Sequence, residues 1–157
     1  MTGAEVGWDL DAQGSTGDRA FFRGVLGATY VADDANTYAL QAGLAGTVSE
    51  GVPASTFDNG TGPTYNVDYA DVLTPSNALG QLCLRYGNGL GAGVQMHNPT
   101  TGSRVVTLGL PLDAMLSDDA RSQLLQQCLL FLLDEMTLRG PPTATLGQPT
   151  AFELTLP

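Results

Sequence analysis

Residues 117–138 carry the strongest helical pattern in this chain, and the rest of the fold has to be arranged around it. Ser117 is placed to cap the helix, and Asp118 and Asp119 suit the positive end of its macrodipole. Ala120, Leu124, Cys128, Phe131 and Leu132 mark one face, while Arg121, Gln123, Gln127, Asp134 and Glu135 mark the other. The apolar patch at 129–133 implies deep packing, and Arg139, Gly140, Pro141 and Pro142 stop the helix.

The remainder is short and heavily punctuated, since 20 Gly and 9 Pro fall within 157 residues. A short helix is expected over 16–26, capped by Ser15 or Thr16 and stopped at Gly27. Residues 28–32 and 37–40 read as strands, and 43–77 as loop with isolated apolar anchors. Residues 81–86 are β-like. Residues 91–97 and 103–108 flank Asn98-Pro99-Thr100-Thr101-Gly102 as a hairpin. The nearly all-apolar run Val105-Val106-Thr107-Leu108 suits a strand covered on both faces, inside the sheet. One domain is expected over 1–139, and 140–157 reads as a linker with an edge strand or as the start of a following domain.

Charge narrows the partners. Sixteen acidic residues stand against six arginines and no lysine, for a net −10. Scattered arginines offer no basic stripe for a phosphate backbone, and anionic membrane surfaces are disfavoured for the same reason. No apolar run approaches the roughly 20 residues a bilayer crossing needs, so no membrane insertion is expected. Cys83 and Cys128 read as core residues. No cofactor is indicated.

Two segments carry a family resemblance. Met1-Thr2-Gly3-Ala4-Glu5-Val6-Gly7-Trp8-Asp9-Leu10 resembles the strand-to-turn elbow of class I glutamine-amidotransferase-like modules found in large secreted bacterial proteins, including cell-wall amidases and peptidases. Arg104-Val105-Val106-Thr107-Leu108-Gly109-Leu110-Pro111-Leu112 resembles their last core strand and its exit turn, and Ala28-Thr29-Tyr30-Val31-Ala32-Asp33-Asp34 also has a counterpart. The likeness spans 1–138. It implies an α/β, flavodoxin-like three-layer sandwich, apparently lacking its first strands, with a β-hairpin and a long carboxy-terminal helix. It also implies an extracellular or cell-envelope location. A parallel sheet without its first strands would have an open edge, so self-association is expected.

The active enzymes of this kind hold a thiol at the centre of the elbow, where this chain has Glu5. Gly93-Val94-Gln95-Met96-His97 resembles the segment that supplies their base, but Asn98-Pro99 replaces the acid that would orient it. Catalysis is therefore not expected, with Glu5, Asp9 and His97 as the candidates if a cell-wall hydrolase is at hand. A carboxylate can attack sugars or phosphoryl groups. Asp9, Asp11 and Asp18 are the candidate calcium ligands, although Ala20 stands where a calcium loop of the EF-hand type needs its glutamate. Trp8, Tyr65 and Tyr69 are the candidate surface for a glycan. The expected role is a non-catalytic accessory or scaffold module. Its partners would be the rest of a larger polypeptide and cell-wall glycan or peptide.

Overall fold

The computed structural model describes residues 1–133 and the strand segments Thr137–Arg139 and Glu153–Thr155. A π-helical turn, Trp8–Ala12, and α1, Thr16–Gly24, lead into β1 (Ala28–Ala32). There follow β2 (Ala39–Leu40), β3 (Ser55–Thr56), β4 (Val72–Pro75), β5 (Gly80–Arg85), β6 (Gly91–His97), β7 (Arg104–Leu108) and α2 (Asp118–Leu132). β8 (Thr137–Arg139) pairs antiparallel with β9 (Glu153–Thr155). Apart from β9, the expected linker and the start of any further domain lie outside the described residues.

The flavodoxin-like expectation is overturned. β1 pairs with β4, β2 with β3, and β5–β6–β7 form a three-stranded sheet, all antiparallel. In the three-stranded sheet short connections impose this. β5 reaches β6 through Tyr86 to Leu90, and β6 reaches β7 through Asn98 to Ser103, whereas a parallel pairing needs a crossover of about a dozen residues or more. Among the described residues, parallel contact occurs only as a bridge between Thr2 and Leu108, where Met1–Gly3 run along the outer edge of β7.

β7 is thus an end strand of its sheet, not an inner one, yet both of its faces are covered. Val105 belongs to an apolar cluster with Phe22 and Leu26 of the α1 region, together with Leu73 and Val94. Val106 and Leu108 belong to the larger cluster with Cys83 and with Ala120, Leu124 and Cys128 of α2. The alternation of neighbouring residues between clusters follows the two-residue period of a strand.

α1 begins at a reciprocal cap: Ser15 Oγ accepts from Asp18 N–H at 3.3 Å, and Asp18 Oδ2 accepts from Ser15 N–H at 2.9 Å. α2 begins at Ser117, whose hydroxyl accepts from Ala120 N–H at 3.2 Å. It ends at Leu132, well before the expected stop, and Thr137–Arg139 is strand. Its inner face follows the expected Ala120, Leu124, Cys128 spacing. The patch expected to pack deeply does not: Leu129, Leu130, Leu132 and Leu133 are all more than two-fifths exposed.

Candidate functional site

The elbow is anchored before it turns. Thr2 Oγ1 donates to the Leu110 carbonyl at 2.7 Å and accepts from Leu112 N–H at 2.8 Å. Glu5 then takes the left-handed conformation at φ +60°, which side-chain-bearing residues rarely adopt. Its side chain is exposed, and its carbonyl accepts from Asp9 N–H at 2.8 Å. The turn character of the segment is therefore real, and a carboxylate stands at its strained position.

Asp71, just before β4, holds the turn from below. Its Oδ2 accepts from Gly7 N–H at 2.6 Å, and its own N–H donates to the Gly109 carbonyl at 2.8 Å. A Cβ on Gly7 would lie 3.1 Å from that carboxylate oxygen and 3.2 Å from the Tyr30 ring, so a side chain there would crowd both. Tyr86 donates its hydroxyl between the carbonyls of Asp71, at 2.9 Å, and Gly109, at 3.1 Å. Asp71 has no exposed surface, and its Oδ1 has no hydrogen-bond partner.

Burial pushes the Asp71 carboxyl up to about 7, against the opposing pull of the Gly7 and Trp8 N–H groups and with help from the Asp33 and Glu5 carboxylates. A carboxyl poised near neutrality beside a second carboxylate is the kind of pair acid–base chemistry uses. This one is sealed from solvent. It can position the elbow, but a substrate cannot reach it in this conformation.

His97 lies elsewhere. It ends β6, whereas the Gly109 N–H that ties this layer to the sheet bonds Ala92 near the other end, about 17 Å away along five residues of strand. Glu5 and His97 are not brought together. His97 instead lines a cleft of about 560 Å³ with Arg104, Gln95, Thr47 and Phe131. Arg104 donates to the Phe131 carbonyl at 2.9 Å and lies 5.4 Å from that ring. Gln95 Oε1 accepts from Val48 N–H at 2.7 Å.

The other candidates scatter too. Asp11 is buried as a clip: Oδ1 accepts from Arg23 Nε at 2.6 Å and Oδ2 from Tyr30 N–H at 2.9 Å, which joins the π-turn, α1 and β1. Asp18 serves the cap of α1, and Asp9 is exposed on the turn. Among the described residues no three His, Cys, Asp or Glu side chains are grouped to hold a metal ion. Trp8 packs edge-on against Tyr30 at 6.0 Å between ring centroids, while Tyr65 and Tyr69 stand about half exposed on the long loop. Burial pushes the Cys128 thiol up to about 11 and Cys83 higher still, as expected of inert core thiols.

No family model, curated protein or solved structure matches this chain.

Sequence reasoning missed three residues here. Asp71 lies in the span read as loop, and only its partner Gly7, 64 positions away, distinguishes it. Tyr86 and Tyr30 read as strand residues, and nothing local marks the hydroxyl that Tyr86 lends to two carbonyls. The outer face of α2 was also missed. Leu125, Leu129, Leu130 and Leu133, with Ser122 and Gln126, line a groove of about 310 Å³ on the side away from the core.

Proposed function

We propose that this chain is a non-catalytic accessory module that docks within a larger secreted bacterial protein. The observation that carries the reading is α2, which is apolar on its inner face against the core and apolar again on its outer face toward solvent. A helix apolar on both faces belongs between two bodies. A contiguous exposed leucine patch of this kind marks an interaction surface rather than a free-standing surface helix. The setting rests on the sequence resemblance of the elbow and of 104–112 to amidotransferase-like modules of cell-wall proteins, whose parallel sheet this chain does not share.

A second reading has one observation in its favour. Glu5 is held in a strained conformation near a carboxyl that titrates close to neutrality, as a hydrolase acting through Glu5 would require. Incubation of the chain with peptidoglycan fragments separates the two. The accessory reading expects no released product, and product that disappears in Glu5→Gln would replace it with the hydrolase reading.

A further inference from the structure

We propose that the outer face of α2 is the docking site for a cationic amphipathic helix. The inference rests on the accessory-module reading for the fact of docking and adds the chemistry of the partner. Leu125, Leu129, Leu132 and Leu133 recur at the spacing of one helical stripe, spanning eight residues or about 12 Å. That is the i, i+4, i+7 pattern on which an apolar helix face seats. Their exposures run from 43% to 47%, so each offers a large part of its surface to a partner.

Charge selects the partner's flanks. The chain carries net −10, and its described arginines are engaged within it: Arg23 with Asp11, Arg121 with Asp118, and Arg19, Arg85 and Arg104 with backbone carbonyls. The amino-terminal end of the stripe is acidic on balance: Asp113 and Arg121 share a recess with Leu125, and Asp118, paired with Arg121, and Asp119 open the helix. At the other end the last turn of α2 contains no basic residue of its own, and its negative pole is met by Arg104, which donates to the Phe131 carbonyl. A second copy of this chain would bring −10 against −10 across a neutral leucine seam. Lysines or arginines flanking an apolar face would meet the acidic amino-terminal end of the stripe and the net negative charge of the chain.

The test uses the full chain and a labelled Leu/Lys amphipathic peptide of about two heptads, followed by fluorescence anisotropy. Binding is expected, weakened roughly tenfold or more by the double variant Leu125→Gln, Leu129→Gln, which keeps the net charge. The same peptide with Glu for Lys is expected not to bind. Equal affinity for the double variant would show a general charge attraction and overturn the proposal, as would binding of the Leu/Glu peptide or no binding of either. A dimer of the parent chain that the double variant dissociates would assign the face to a second copy. Displacement of the Leu/Lys peptide by a peptide of residues 140–157 would assign it to the chain's own terminus. Either result overturns the proposal. Peptidoglycan cleavage would remove the accessory reading without touching this binding, so the two failures are distinguishable. Because the substituted leucines are exposed, an unchanged thermal transition is the expected control.

Discussion

Two aspartates with no exposed surface, Asp58 and Asp71, sit in the same chain and behave in opposite ways. Asp58 is wrapped by its own loop: Oδ1 accepts from the N–H groups of Gly60 at 2.8 Å and Gly62 at 2.9 Å, and Oδ2 accepts from Thr64 N–H at 2.8 Å and Thr64 Oγ1 at 2.9 Å. Burial pushes its carboxyl up, but these four donors outweigh burial and hold it below the usual carboxylate range. Asp71 receives N–H groups only from the distant elbow, and one of its oxygens goes without a partner. Burial then wins. The count and placement of donors, not burial, decide whether a hidden carboxylate is a lock or a titrating group.

The largest effect is expected where the lock is complete. Asp58→Ala leaves three backbone N–H groups and a threonine hydroxyl without their acceptor, and it unties residues 58–64 from one another. The thermal midpoint should fall on the order of 10 °C, more than for any other variant named here. A transition within a degree or two of the parent would mean that the loop is held by other contacts, and the comparison would fail at its stronger member.

The two carboxyls should also tilt the pH profile in opposite directions. Asp71 is raised in the folded state, so its contribution is fully present below its unfolded value near 4 and is lost as pH climbs through about 7. After allowance for partial screening, that loss is about 2–4 kcal/mol. Asp58 is lowered, so its contribution is present above the unfolded value and is lost as pH falls through the folded one. Urea midpoints measured from pH 4 to 8.5 should decline from the unfolded value up to about 7 and level off above it, and Asp71→Asn should flatten that decline. A decline that persists in Asp71→Asn would place the titrating group elsewhere.

Tyr86→Phe sharpens the comparison from the other side. Its hydroxyl holds the backbone of Asp71 but leaves the carboxyl untouched, so the variant should lose about 1–2 kcal/mol of stability while keeping the slope with pH. Loss of the slope would show that Asp71 is buried only because Tyr86 holds its carbonyl in place.

What the sequence revealed follows from the distance over which each feature is decided. The hairpin of β6 and β7 was readable because Asn98 and Gly102 close it locally, with Asn98 N–H on the Ser103 carbonyl at 2.9 Å and Gly102 N–H on the Asn98 carbonyl at 2.8 Å. α1 and the inner face of α2 were readable for the same reason. The direction of the sheet departs from what the likeness in the elbow and in 104–112 implies, because strand direction is set by the length of the connections and not by the residues of those two segments. The segment Gly87-Asn88-Gly89, too short for any crossover, already argued for antiparallel pairing of β5 and β6. The outer leucines were merged with the inner ones because two apolar stripes on one helix overlap in sequence. At the elbow the turn itself was evident, but its support, Asp71 with Tyr86, is assembled from β4 and the β5–β6 connection and leaves no local signature.

The smallest expected effect bears on whether the elbow is a lock or a strained site. Glu5 makes no side-chain hydrogen bond among the described residues, so its left-handed backbone is not repaid by a local contact. Glu5→Gly should relieve that strain, and after the greater chain entropy of glycine the net gain is about 0.5–1 kcal/mol. The same change removes a carboxylate that raises Asp71, so the limb over which stability declines with pH should end at lower pH. Trp8 is the only tryptophan, and it sits in the turn that Asp71 holds, so its emission reads both effects. A destabilised Glu5→Gly would mean that the glutamate side chain supports the turn after all. A stabilised variant with an unmoved limb would mean that Asp71 is raised by burial alone. Only the gain in stability together with the shift makes Glu5 the strained partner of a titrating carboxyl, as distinct from the fully satisfied lock at Asp58.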